Sequence, residues 1–171
     1  MTVVVDASVL AAAVAHLGPN GAWCEAALAE SAREGRSLAG PQLVLAEASN
    51  VLHRLALAER LESSEASLAG YDLLALEIEL FPFEPLADRT WELRHNLSIY
   101  DGWYVALAET LSCPLLTLDQ RLARAAGPTC RIITPPPLRP CASALPRADH
   151  RSIPYQDDWS RYHEGPHGAD D

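Results

Sequence analysis

Val3-Val4-Val5-Asp6-Ala7-Ser8 is a β-branched run that stops on an aspartate and passes into Ser8 to Ala15, a stretch that reads as helix up to the turn residues Gly18-Pro19-Asn20-Gly21. The same pattern returns late in the chain. Pro114-Leu115-Leu116-Thr117-Leu118 reads as a buried strand ending on Asp119, followed by a helix from Gln120 to Ala126 that Gly127-Pro128 closes, and Arg131-Ile132-Ile133 reads as a last strand. Between these ends, helix is predicted over 22–34, closed by Gly35, and over 42–60, where Leu43, Val44, Ala46, Val51, Leu55 and Ala58 recur at helical spacing. Ser63 or Ser64 caps a further helix reaching about Ile78, and Ala87 to Asn96 and Tyr100 to Leu111 complete the helical set. Leu38-Ala39 and Leu80-Phe81-Pro82-Phe83 are the remaining strand candidates. Strands separated by helices require crossover connections, which make a parallel sheet covered on both faces: a three-layer α/β/α sandwich. In such sheets ligands bind beyond the carboxyl ends of the strands.

A chain of 171 residues, 49% hydrophobic, can bury one real core. Residues 135–171 hold seven of the thirteen prolines, starting at Pro135-Pro136-Pro137, but only Leu138, Leu145 and Ile153 from the set Leu, Ile, Val and Phe. That segment cannot offset the entropy of ordering itself, so the predicted organisation is a domain over 1–134 and a Pro-rich, disordered tail over 135–171.

All thirteen cations are Arg, and the absence of Lys excludes a P-loop lysine, a Schiff-base lysine and a kinase strand lysine. The formal net charge of -10 argues against polyanion binding through a broad basic surface. Cys24, Cys113, Cys130 and Cys141 form no C-x-x-C pair and read as reduced thiols. The N-terminus lacks a basic region followed by an apolar one, and no stretch approaches eighteen uncharged apolar residues, so a cytoplasmic protein without membrane contact is expected.

Four acids stand out. Asp6 and Asp119 each follow a strand directly and so project from the carboxyl edge of the sheet, where each can also cap the next helix. Glu47 has Leu43, Val44, Asn50 and Val51 as its i±3 and i±4 neighbours, which puts a carboxylate beside the buried stripe, where it needs a cation or strong donors. Asp101 follows Ser98-Ile99-Tyr100 at capping-box spacing and opens the apolar run Gly102 to Ala108. A single metal site explains the four more economically than three caps and a buried pair. With no accompanying His or Cys, it is a hard oxygen site suited to Mg²⁺ or Mn²⁺, of the kind that activates water and stabilises developing charge on a phosphodiester. Thr117 and Ser8 add hydroxyls at that edge, for a ligand, a water or ordinary packing.

Val3-Val4-Val5-Asp6-Ala7-Ser8, Pro41 through Glu47 to Asn50-Val51-Leu52, Tyr100-Asp101-Gly102-Trp103-Tyr104-Val105-Ala106-Leu107-Ala108 and Leu116-Thr117-Leu118-Asp119-Gln120-Arg121-Leu122 together resemble the PIN-domain nucleases, most closely the VapC-type toxins of bacterial toxin–antitoxin pairs. The resemblance runs in order over residues 1–134 and implies a Mg²⁺- or Mn²⁺-dependent endoribonuclease. Asp6, Glu47, Asp101 and Asp119 would be its metal-binding cluster, and Thr117 and Ser8 its hydroxyl positions. It also implies an RNA substrate, a cognate antitoxin and a homodimer; apolar helical faces carrying Val9, Leu10, Val14, Trp23, Leu28, Leu68 and Leu73 suit such contacts or simply the core.

Residues 1–134 carry nine Arg against seventeen Asp and Glu, which is acidic for a protein expected to grip RNA. Arg94, Arg121 and Arg124 flank the acidic residues in sequence and are the candidate phosphate contacts. Two other readings compete: a non-catalytic PIN-fold module binding RNA or protein, and a small-molecule phosphohydrolase, against which Asp6-Ala7-Ser8 lacks a D-x-D. In the tail, His163 and His167 with Cys141 and His150 lack the second half of a zinc motif. Tyr155, Trp159 and Tyr162 around Asp157-Asp158 suit either a short partner-binding segment or plain disorder.

Overall fold

The computed structural model describes residues 1–136, so the readings made on the tail lie outside the described residues. Five parallel strands form one sheet in the order β3-β2-β1-β4-β5: β1 Thr2–Val5, β2 Ser37–Pro41, β3 Ile78–Phe81, β4 Leu115–Leu116 and β5 Ile132–Ile133. Val4 pairs with Ala39 on one side and Leu115 on the other, so β1 lies in the centre, and its Val3, Val4 and Val5 are wholly buried. A fully covered strand explains the unbroken β-branched run. Connections leave β1 in both directions, toward β2 and β3 and then across to β4 and β5, which places the topological switch between the carboxyl ends of β1 and β4.

Six α-helices flank the sheet among the described residues: α1 Ala7–Val14, α2 Gly18–Arg33, α3 Val44–Leu57, α4 Ser63–Ala75, α5 Ala87–Leu93 and α6 Ile99–Thr110. Helices α1, α3 and α4 pack on one another, whereas α5 and α6 pack together with α6 against β1, β2 and β4. Gly102 to Ala108 of α6 are all buried, as expected of so apolar a helix. Val9, Leu10 and Leu73 are core residues and Val14, Trp23 and Leu28 half-buried ones, but Leu68 is exposed, as are Tyr71 and Leu74 on the same side of α4 and Leu57 on α3.

The architecture is the three-layer one expected; several boundaries are not. Gly18-Pro19-Asn20-Gly21 forms the first turn of α2 rather than a separate turn, because Pro19 sits at a helix start, where its fixed φ fits and its missing N–H costs nothing. Helix α4 stops at Ala75, and β3 begins at Ile78, which pairs with Leu38; Pro82 cannot donate to a ladder and lies just beyond the strand. The segment after Asp119 is a single 3₁₀ turn, Leu122–Arg124, because Gly127-Pro128 leaves no room for a longer helix. No described helix is long and apolar enough to cross a membrane. Cys24, Cys113 and Cys130 are unbridged, and burial pushes the Cys24 thiol up to about 12 and Cys130 to about 11, so they stay protonated.

Gly21 allows α2 to cross the end of α1, since a Cβ there would stand 2.8 Å from the Ala12 carbonyl oxygen and 2.8 Å from the His16 carbonyl carbon. Gly70, inside α4, faces nothing within 4 Å. Gly21→Ala is therefore expected to destabilise the fold by roughly 1–3 kcal/mol through backbone overpacking. Gly70→Ala should stabilise it by about 0.5–1 kcal/mol through helix propensity. Urea denaturation of the two variants reads both signs.

Candidate active site

The carboxyl end of β1 turns directly into α1, and Asp6 occupies the junction. Its backbone N–H continues the ladder to the Leu116 carbonyl at 3.0 Å, and its Oδ1 caps α1 by accepting from the Ser8 N–H at 3.1 Å. Its other carboxylate oxygen accepts from the Thr117 hydroxyl. Thr117, wholly buried at the end of β4, also accepts the Asp119 N–H at 3.0 Å, so one hydroxyl joins the two strand ends. The Ser8 hydroxyl takes the Leu118 N–H at 3.2 Å and closes the same crevice one residue further along.

Burial pushes the Asp6 carboxyl up to about 6; the bonds from Thr117 and Ser8 oppose that, and the charge of Asp101 adds to it. Asp101 thus faces Asp6 closely enough to repel it. It lies in the first turn of α6, whose cap is Ser98: the Ser98 hydroxyl accepts the Asp101 N–H at 3.0 Å and donates to the Asp101 carboxylate at 2.8 Å. The Ser98 half of the capping box read from Ser-x-x-Asp is present, and a bond from the Ser98 hydroxyl to the carboxylate holds Asp101 at the start of a buried helix.

Glu47, half-buried on α3, accepts a 2.5 Å hydrogen bond from the hydroxyl of Tyr104 on α6. Burial holds the Tyr104 hydroxyl well above its usual range, as do the negative charges of Asp6 and Glu47, which places all three side chains in one electrostatic neighbourhood. Tyr104 is the residue that sequence reasoning missed. Its signal was its place one helical turn after Asp101, inside a run otherwise accounted for as core.

Asp119 is placed differently. Its Oδ1 accepts from the backbone N–H of Arg121 at 2.7 Å, and the Arg121 Nε stands 3.6 Å away, so this carboxylate caps its own 3₁₀ turn. Asp6, Glu47 and Asp101 are drawn together, while Asp119 reaches them through Thr117. Among the described residues, no three Asp, Glu, His or Cys side chains gather tightly enough to hold an ion as they stand. The donor chemistry nevertheless fits a hard divalent cation: every candidate donor is an oxygen, and Asp6 carries a charge that its hydrogen bonds leave under-compensated. Of the candidate phosphate contacts, Arg121 lies beside Asp119, Arg124 is exposed at the end of the 3₁₀ turn, and Arg94 caps the C-terminus of α5.

A PIN-domain family model matches residues 3–128. Ribonuclease VapC1 of Mycobacterium tuberculosis is 40% identical over 131 residues, which span 75% of this chain and 94% of that protein. Among solved structures, VapBC2 from Rickettsia felis, bound to a DNA fragment from its promoter, has a TM-score of 0.57 at 15% identity and covers 78% of this chain and 98% of its own. Mycobacterium tuberculosis VapC20, a sarcin-ricin loop cleaving toxin, has a TM-score of 0.55 at 19% identity, covering 71% and 93%.

The raised Asp6 carboxyl sets a pH dependence of stability opposite to that of a salt-bridged acid. Between the unfolded value of 3.8 and the folded value of about 6, the native state binds more protons than the unfolded state, so stability falls as pH rises through that window. Asn is isosteric and keeps the cap. Asp6→Asn should therefore raise the stability of the metal-free protein at pH 7.5 by about 2 kcal/mol and flatten its decline between about pH 4 and 6. Thermal melts in EDTA across pH read both effects.

Proposed function

The chain belongs to the PIN-domain family, and from that premise we propose that it is a VapC-like endoribonuclease toxin, hydrolysing RNA phosphodiester bonds with Mg²⁺ or Mn²⁺ and silenced by a cognate antitoxin. The nuclease domain spans residues 1–134. The observation that carries this reading is the convergence of Asp6, Asp101 and Glu47 on the crevice between β1 and β4, with the Asp6 carboxylate held there against its burial and, to a lesser extent, the charge of Asp101. Keeping an under-compensated carboxylate there costs stability, and a bound cation offsets that cost.

Asp6, Glu47, Asp101 and Asp119 would hold the ion. When bound, it supplies a water of lowered pKa and positive charge against the developing charge of the scissile phosphodiester. The chain's own groups do the positioning. Thr117 fixes the Asp6 carboxylate with its hydroxyl and holds the Asp119 backbone in register with β1. Ser8 pins the Leu118 N–H, which sets the turn from which Asp119 departs. Tyr104, its hydroxyl also bonded by the Ala7 backbone, holds the Glu47 carboxylate in one orientation against a long and otherwise mobile side chain. Arg121 and Arg124 follow Asp119 closely enough to meet a phosphate.

The exposed Leu57, Leu68, Tyr71 and Leu74 side chains suit protein contact, and the proposed occupants are the antitoxin and a second copy of the chain.

Full-length protein is expected to cut a labelled RNA in Mg²⁺ and to stop in EDTA. Asp101→Asn and Glu47→Gln should each reduce cutting to background while keeping the circular dichroism spectrum and melting temperature of the folded protein. Wild-type cutting rates in those variants would overturn the assignment. Tyr104→Phe should weaken Mn²⁺ binding about 10- to 100-fold by calorimetry. A second Tyr104→Phe change in the Glu47→Gln background should add little, because the two residues act through one hydrogen bond.

A further inference from the structure

A domain with nine Arg against seventeen acids can hold a polyanion only where its guanidinium groups are not already neutralised. Several are. Arg36 pairs with Glu34, Arg121 stands beside Asp119, and Arg89 is bound by both Glu92 and Glu109. Arg94 has no acidic partner among the described residues. Its guanidinium lies 4.8 Å from the ring centroid of Trp91, and its Nη1 donates to the Trp91 carbonyl at 2.7 Å. It is therefore a charged fork already held in one orientation.

Trp91 is 61% exposed, an unusual position for the largest apolar side chain, and Arg94 leaves much of the indole uncovered. The pair lies on the solvent side of α5, whose buried residues are Thr90 and Leu93. The methyl group of Thr90 packs on Gly102, where a Cβ would come within 3.2 Å of it, and Gly102 follows Asp101 directly. The residue directly before the exposed indole, Thr90, thus carries the side chain that touches the turn bearing Asp101. Of the two acids of α5, Glu92 is held by Arg89, while Asp88 lies three residues before Trp91 on its side of the helix and six residues before Arg94, so the anion-binding end of the pair is the Arg94 end.

The geometry points to Trp91 and Arg94 as an RNA-docking platform beside the catalytic crevice, the indole stacking an unpaired base and the guanidinium bonding the phosphate next to it. Stacking on an exposed aromatic tolerates any base, and an oriented guanidinium bonds phosphate through two parallel N–H groups. The sequence pointed to Arg94 but gave no reason to join Trp91 to it. Their union depends on Arg94 continuing past the end of α5 to lie three residues beyond Trp91 on the same side. This inference rests on RNA being the substrate.

Binding of a short, unstructured, fluorescein-labelled RNA is measured by anisotropy over a salt series, with Mg²⁺ present, in the Asp101→Asn background. Adding Trp91→Ala should weaken binding roughly 5- to 100-fold without changing the salt dependence, whereas Trp91→Phe should retain most of the affinity. Arg94→Gln should weaken binding and flatten the slope of log affinity against log salt by about 0.7. In the active protein, Trp91→Ala should raise KM and leave kcat in place. RNA affinity unaffected by Trp91→Ala, an equal loss with Trp91→Phe, or a background protein with no RNA affinity would each overturn the platform. Loss of a protein partner without loss of RNA affinity would overturn it too, in favour of a protein contact. Cutting that persists in Asp101→Asn sinks the ribonuclease mechanism instead, and Trp91-dependent binding stands or falls apart from it.

Discussion

Asp6 joins β1, α1 and the end of β4 from one residue. Its N–H extends the sheet to Leu116, one carboxylate oxygen closes α1 through Ser8, and the other ties β1 to the end of β4 through Thr117. The strand order makes this the place where the chain's crossovers part, so the site and the switch point of the sheet coincide. An asparagine amide at the same position could keep the cap with its oxygen and donate its N–H to the Thr117 oxygen in place of the bond it receives, so the tie would survive with one bond reversed. What it would lack is the charge, and that charge is unwelcome in the folded chain, since burial and Asp101 both push the carboxyl toward protonation. That cost, borne at the switch point of the sheet, is the physical ground on which Asp6 is proposed as a site residue.

The fold was legible because its central strand advertises itself. Val3-Val4-Val5 is buried on both faces and so cannot alternate, and Leu115-Leu116 repeats the same signature on the neighbouring strand. The boundaries that shifted are those that pairing decides rather than local pattern. Ile78 looked like the end of a helix because its spacing suits one, but Leu38 recruits it into β3. The segment after Asp119 carries helix formers, yet only one 3₁₀ turn fits before Gly127, whose backbone at φ +112 turns the chain toward β5. Such effects lie in tertiary contacts that no window of sequence contains.

The site was legible to the extent that strand ends and caps announce themselves. Asp6, Asp119 and Asp101 were found from the elements they terminate or begin, and Glu47 from the conflict between its charge and its apolar neighbours. Tyr104 was not, because a tyrosine within an apolar run reads as core until its hydroxyl is seen to meet Glu47, fifty-seven residues away in sequence. Asp119 shows the reverse limit. Its position after β4 was read from sequence, but the direction of its carboxylate depends on the Arg121 backbone, which turns it into a cap. Sequence locates a side chain on an element more readily than it aims it.

The charge balance follows from where the cations are spent. Arg89 is the most heavily used: it bonds Glu92, both oxygens of Glu109 and the Gly127 carbonyl, while Glu109 also takes two bonds from Thr129. That network clamps the loop before β5 onto α5 and α6, a structural use that commits the single Arg89 cation to two carboxylates and leaves none of its charge for a ligand. Negative charge around Asp6 is different, because burial and the charge of Asp101 push its carboxyl toward protonation, and the charges of Asp6 and Glu47 together hold the neighbouring Tyr104 hydroxyl protonated. In the proposed enzyme a divalent cation held by Asp6, Glu47, Asp101 and Asp119 would lessen the repulsion of a polyanion from that crevice. An acidic domain without lysine is then no obstacle to a nucleic-acid substrate, since repulsion elsewhere on the surface confines productive approach to the few places where guanidinium groups remain uncommitted.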